Sequence, residues 1–283
     1  MNSADDAGQA QERTRASWNA ATKNHNRHKG DQAARLRGGG DTLFREELDL
    51  LGDLRGKRLV HVQCNSGQDS LCLARRGAEV VGVDFSDEAV AFARELSADT
   101  GIPARFELAE AVAWMARTDE RFDVAFASYG VTGWIQDLQA WADGVARILR
   151  PGGRFVYVEF HPLVWSLGAA LDLRGGDDYF MDEPLVEPVG DYVAASAAGL
   201  GGVGELTAGA NDIPATSWQH TLGALVTAFA RAGLAIEALR EYPYANGCRV
   251  QEGLVWGEDR RWRFPEGVAP VPLMFGLACA KPG

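Results

Sequence analysis

Positive charge is in short supply in this chain: 28 lysine and arginine residues stand against 39 aspartate and glutamate, a formal net charge of −11 over 283 residues. Nucleic acid and anionic lipid are both recognised by clustered cations, so neither is an expected partner. Cysteine is sparse too. Cys64, Cys72, Cys248 and Cys279 form no CxxC pair and have no histidine at ligand spacing, which argues against a disulfide framework or a zinc site. No metal is therefore expected. No run approaches the roughly 18 apolar residues of a membrane span. Met1 to Arg13 is polar and lacks the apolar core of a secretory signal. The expectation is a soluble cytoplasmic protein without a membrane partner, its oligomeric state left open.

What is present is ample core material. Hydrophobic residues make up 46% of the chain, enough for one large α/β domain or a domain with an elaborated cap. Residues up to about Gln9 read as a tail. Gln11 to Leu36 is rich in polar helix formers and is broken by Gly38-Gly39-Gly40, and Leu43 to Leu51 has the apolar spacing of a short amphipathic helix.

From Arg58 apolar runs alternate with helical patterns. Strands are predicted at 59–62, 79–83, 104–108, 122–127 and 154–159. Helices run between them, one starting near Asp69, one capped by Ser86 and one opened by Asp137. Pro151-Gly152-Gly153 reads as a tight turn into the fifth strand. Such alternation implies a parallel sheet with right-handed crossovers. After His161 the pattern fails for about fifty residues, an inserted cap over the ligand edge of the sheet. A helix at 218–232 and strands at 235–241 and 273–279 complete the core. The expected organisation is an N-terminal tail and helical segment (1–42), a ligand-binding core (43–160), a cap (161–217) and a C-terminal completion (218–283).

Ligands of an open parallel sheet bind beyond the carboxyl ends of its strands. The first strand ends in Gln63-Cys64-Asn65-Ser66-Gly67-Gln68-Asp69, the second in Asp84, the third in Ala109-Glu110. Asp84 lies seventeen positions after Gly67, close to the spacing of about 20 for an acid that grips ribose hydroxyls. The alternative is a loop aspartate that caps the Ser86 helix. Glu110 is placed beside an adenine, or else is a solvated surface acid. A dinucleotide loop needs G-x-G-x-x-G, and only Gly67 is present, so a nicotinamide cofactor is disfavoured. Asn65 sits where a tight turn is expected and tolerates a left-handed backbone.

Residues 59 to 160 resemble the class I S-adenosylmethionine-dependent methyltransferases, within a subgroup of bacterial small-molecule enzymes. LVHVQCNSGQDSLCLARRGAEVVGVDFSDEAVAFAR is similar to their first two motifs, and FDVAFASYG and ILRPGGRFVYVEF to their fourth strand and post-motif region. The resemblance implies a Rossmann-like, seven-stranded, mostly parallel sheet with helices on both faces, a lid, a cap, and a last strand antiparallel beside the fifth. It implies that S-adenosylmethionine is the cofactor, with Asp84 on the ribose, Glu110 on the adenine edge and Gly67 against the methionine portion. Gln63, Asn65, Asp69, Phe85, Ala109 and Ser128 complete the implied cofactor contacts. The chain departs from the family's acidic residue and alternate glycines, having His61, Gln63 and Asn65 there.

Methyl transfer needs a base only for an acceptor protonated at neutral pH. His161 is the first candidate, followed by Glu159 and Tyr129, with His25, His28, Tyr242 and Tyr244 as contributions from the lids. The other reading of His161 is a residue that structures the turn before Pro162. Trp134, Trp165, Trp218, Trp256 and Trp262 are candidate walls for a small-molecule acceptor or ordinary packing, and Asp177, Asp178 and Asp182 weakly favour a cationic one. Three other functions stay open: aminocarboxypropyl transfer, cyclisation of the cofactor, and non-catalytic cofactor binding.

Overall fold

The computed structural model describes residues 3–196, 198–199, 202–203 and 207–283. Three helices, α1 (Ser3–His28), α2 (Gln32–Arg37) and α3 (Arg45–Leu51), precede β1 (Arg58–Val62). There follow α4 (Gln68–Arg75), β2 (Glu79–Asp84), α5 (Asp87–Thr100), β3 (Arg105–Leu108), α6 (Ala111–Arg117), β4 (Phe122–Ser128), α7 (Leu138–Ile148) and β5 (Leu149–Phe160). The inserted region holds β6 (Leu185–Pro188), α8 (Tyr192–Ala195), β7 (Ala198–Gly199), β8 (Gly202–Val203) and β9 (Pro214–Ser217). The chain closes with α9 (Leu222–Arg231), β10 (Ala235–Tyr242), β11 (Tyr244–Asn246), β12 (Val255–Trp256), β13 (Arg261–Arg263) and β14 (Met274–Ala280).

The main sheet has seven strands in the order β10-β14-β5-β4-β1-β2-β3. β14 runs antiparallel between β5 and β10, and the remaining neighbours are parallel. Side chains alternate across the pleat and build two cores. Leu59, Val124, Val156 and Val158 face one side, under α4 and α5. Val60, Val62, Ala125, Phe155 and Tyr157 face the other, under α6, α7 and α9. On that second side Trp141 is fully buried, with Tyr157 and Phe229 rings at centroid distances of 5.5 and 5.3 Å.

Three expectations are corrected here. Pro151–Gly153 is not a turn before β5 but an irregularity inside it. Phe122 pairs with Leu149 and Val124 with Arg154, and Lys281 exchanges backbone hydrogen bonds with Gly152 and Gly153. The helix predicted to begin at Trp218 begins at Leu222, because the Thr221 hydroxyl accepts the Ala224 N–H and caps it there. The N-terminal helix begins at Ser3, where a tail was expected to Gln9.

α1 is a polar beam laid across the ligand edge. On the core side Asn19 accepts a hydrogen bond from the Ser86 hydroxyl at 2.6 Å and donates to Asp87 at 2.9 Å. Asn26 donates to the Ser66 hydroxyl at 2.9 Å. On the other side the Ser17 hydroxyl accepts the Val189 N–H, and the Thr14 hydroxyl accepts the Thr216 N–H, each at 3.0 Å. Core and inserted region are thus joined through one helix.

Two outcomes follow. Trp141→Ala should lower the unfolding free energy by about 3–5 kcal/mol, read from urea denaturation with an unchanged m value. Asn19→Ala should leave that midpoint nearly in place and speed amide exchange in α1 about tenfold, the equivalent of about 1.4 kcal/mol. Exchange at the wild-type rate would mean that other contacts hold the beam.

Candidate cofactor and acceptor site

The carboxyl ends of β1, β2, β4 and β5 open on a cavity of about 960 Å³, roofed by residues of α1 and the inserted region. Its floor begins with the loop after β1. The backbone is left-handed at Gln63 (φ +56°), Asn65 (φ +47°) and Gly67 (φ +77°). The alternate positive φ values survive although glycine occupies only the third position. Left-handed non-glycine residues cost on the order of 1–3 kcal/mol each, strain that collects at ligand sites. Asn65 meets part of it by accepting the Ser66 N–H at 2.6 Å. Gly67 has no such freedom to change: a Cβ there would stand 2.7 Å from that of Ala93 and 2.9 Å from the Phe106 ring.

Asp84 ends β2 in the cavity wall, with its carboxylate accepting the Asn65 N–H at 2.8 Å and the Ser86 N–H at 2.9 Å. It thereby ties the first two strand ends together. Burial pushes its pKa up to about 6, against the pull of those N–H groups. Each oxygen keeps a lone pair for a hydroxyl donor. Gln63, Asn65, Asp69, Phe85 and Ser128 line the same cavity. Gly67, Ala109 and Glu110 do not. Glu110 is the N-cap of α6, accepting the Val112 and Ala113 N–H groups at 2.9 and 2.6 Å.

The candidate bases separate clearly. Glu159 is buried and saturated, with Gly130, Val131, Thr132 and Phe160 backbone N–H groups and the Tyr157 hydroxyl all donating to it. It shapes the loop after β4 and keeps little capacity for a substrate proton. Tyr129, left-handed at φ +42°, lines the cavity but donates its hydroxyl proton to Glu47 and accepts from Asn246. Burial, then the Glu47 carboxylate, holds that phenol well above its ordinary range. His161 lies outside the cavity wall. Its Nδ1 accepts the Leu163 N–H and its Nε2 faces Glu241 at 3.1 Å, so the neutral ring has no lone pair to offer. Of the residues assigned to the lids, His25 donates to the Gly190 carbonyl, His28 pairs with Asp191 and Tyr244 donates to Glu46. Neither these three nor Tyr242 lines the cavity.

The cavity is rich in indoles: Trp134, Trp165, Trp218 and Trp256 line it, as does Trp18 of α1, whereas Trp262 lies elsewhere. Of the three acids read as favouring a cationic acceptor, Asp177 lines the cavity and Asp178 and Asp182 do not. The sequence reading missed Lys29, Arg260 and His220, all of them in the wall. Lys29 follows α1, and burial draws it down to about 8 while Asp69 pulls it up. A helix drawn from Trp218 hides His220. The Thr221 cap signal, one residue further on, would have put it on a loop at the sheet's ligand edge.

S-adenosylmethionine fits this donor set. Three buried polar atoms of the wall, Gln63 Oε1, His61 Nε2 and Trp18 Nε1, have no hydrogen-bond partner among the described residues. A buried polar group in that condition needs one from a ligand. Asp84 has acceptor capacity for ribose hydroxyls, and Lys29 is a cation suited to a carboxylate. Among the described residues no group of three or more His, Cys, Asp or Glu is arranged to hold a metal ion. No described helix is long and apolar enough to cross a membrane.

Residues 60–153 match a protein family described as a methyltransferase domain. Over 120 residues the chain is 34% identical to the demethylmenaquinone methyltransferase of Thermus thermophilus, covering 42% of this chain and 54% of that one. Over 106 residues it is 30% identical to the ubiquinone biosynthesis O-methyltransferase of Aeromonas salmonicida, covering 38% and 44%. The chain thus spans about half the length of these curated relatives. An S-adenosylmethionine-dependent methyltransferase structure from Mesorhizobium loti shares the fold at a TM-score of 0.52, with 22% identity over 82% of this chain and 94% of that one. Sheet order and matched segment agree: residues 60–153 match a methyltransferase domain, and the seven-stranded sheet they help to build is the fold of S-adenosylmethionine-dependent methyltransferase structures.

Proposed function

We propose that the protein transfers a methyl group from S-adenosylmethionine to a small-molecule acceptor bound under the α1 lid, with residues 161–217 as the cap. The observation that carries this reading is Asp84, a buried carboxylate at the end of β2 in one wall with the left-handed residues Gln63 and Asn65. The methionine-derived sulfonium supplies a methyl group already activated for in-line displacement, so the protein's share is positioning and exclusion of water.

The residues divide that task. Asp84 accepts from the ribose hydroxyls. Gln63 Oε1 accepts from the ammonium of the amino-acid end, and Lys29 faces its carboxylate. His61, drawn by burial to about 4, stays neutral and adds no charge beside the donor. Trp18 and the α1 beam close the site to solvent. The four cysteines are free thiols, which suits a reducing cytoplasm. The two relatives are named for methylation of demethylmenaquinone and for O-methylation in ubiquinone biosynthesis, which supports a small aromatic acceptor here.

Calorimetry with S-adenosylhomocysteine should give micromolar binding, and Asp84→Ala should weaken it by about 100-fold, the loss of a charge-assisted hydrogen-bond pair. With Asp84 at about 6, the carboxylate protonates and loses acceptor strength as the pH falls below that value. Affinity should therefore decline below pH 6 and hold above it, and in the alanine variant this dependence should vanish. Methylthioadenosine as the product, in place of S-adenosylhomocysteine, would overturn methyl transfer.

A further inference from the structure

His220 lines the cavity, on the loop between β9 and α9 that also carries Trp218. Its Nε2 lies 2.6 Å from the Ile135 carbonyl oxygen. A carbonyl only accepts, so this contact places the ring proton on Nε2 and leaves Nδ1 as the lone-pair nitrogen. Nδ1 makes no hydrogen bond among the described residues, nor is it an atom sealed from solvent. Burial lowers the proton affinity of the ring, and no charged side chain among the described residues acts on it. At neutral pH it is an uncharged imidazole.

The loop that carries it is held residue by residue. Trp218 N–H donates to the Gly133 carbonyl at 2.9 Å, and Gln219 donates to the Asp178 carbonyl at 2.8 Å. Thr221 caps α9, and Leu222 N–H donates to the Tyr179 hydroxyl at 3.1 Å. A base on so fixed a loop is preorganised. It is also what the other candidates fail to be. Besides His220, only His61 among the histidines lines the cavity, and His61 sits at the β1 end with Nδ1 against the Ser70 hydroxyl. Indole rings of Trp18, Trp134, Trp165 and Trp218 line the cavity, with Trp18 and Trp134 edge to face at 5.2 Å. Flat walls of this kind select a flat ring.

We propose that His220 Nδ1 is the proton acceptor for an aromatic hydroxyl bound between these indoles, a proposal that rests on the methyl-transfer reading above. The acceptor oxygen forms its bond to the methyl carbon of the sulfonium donor. The carbon–sulfur bond breaks with its electron pair staying on sulfur, and the hydroxyl proton moves to Nδ1. The products are a methyl ether, a neutral thioether and an imidazolium, which returns its proton to solvent.

The test compares wild type with His220→Gln, whose amide keeps a donor for Ile135 but has no basic nitrogen. Two probes are used: catechol, and 4-nitrocatechol, which ionises far more readily. S-adenosylhomocysteine affinity, measured by calorimetry, should be the same in both proteins. The variant should lose about 100-fold in kcat on catechol and less than about tenfold on 4-nitrocatechol, and the acid limb of the wild-type kcat profile, measured at saturating S-adenosylmethionine so that Asp84 does not contribute, should disappear. Equal losses on both probes, or no loss on catechol, would overturn the role of His220. Methylation of neither probe by a wild-type protein that binds S-adenosylhomocysteine would overturn the aromatic-hydroxyl assignment and leave the cofactor reading standing. Absence of S-adenosylhomocysteine binding would remove both.

Discussion

The carboxylate of Glu159 sets the geometry of the wall built by the loop after β4. At the end of β5 it gathers four backbone N–H groups and the Tyr157 hydroxyl, and three of those N–H groups belong to the loop after β4. A turn that would otherwise bury unpaired donors at a cost of about 1–3 kcal/mol each becomes a fixed edge. Everything further out is registered against it. The Gly133 carbonyl receives Trp218, the Ile135 carbonyl receives His220, and the start of α9 is placed in turn. One buried carboxylate, spent on backbone and on the Tyr157 hydroxyl, thus orders a chain of contacts that ends at a nitrogen without a partner among the described residues.

The opposite side of the cavity works by the same means with different residues. Asp84 ties the loop after β1 to the start of α5, and its burial raises its pKa because two N–H partners do not replace water fully. Nearby, burial drives the His61 ring towards neutrality. The two effects have one cause, a strand-end environment of low polarity that resists net charge. Such a setting strengthens each remaining hydrogen bond.

Most of the core is legible in the chain because short apolar runs bounded by glycine and capping residues leave few other structures. Asp84 is legible for the same reason, since strand, acid and Ser86 cap are contiguous. Long-range partners are where the reading fails. His161 looks exposed to a substrate until Glu241, eighty positions later, takes its second nitrogen. Pro151-Gly152-Gly153 looks like a turn because Lys281, which makes it part of a strand, is 128 positions away from Gly153. Glu110 has a local reason to turn aside, two free N–H groups at the start of α6. His220 was hidden by a boundary error of four residues, the ordinary imprecision of helix starts, at a place where four residues decide whether a side chain packs or faces a ligand.

The α1 beam also bears on what counts as a unit in this protein. Its short amides and hydroxyls grip the core at Ser66, Ser86 and Asp87 and the inserted region at Val189 and Thr216. The segment 60–153, which matches the methyltransferase domain, therefore carries the floor of the cavity and none of its roof. Recombining such domains by the matched segment would transplant a binding edge but not an enclosure. The inheritable module is the core together with a helix that lies outside the recognisable domain.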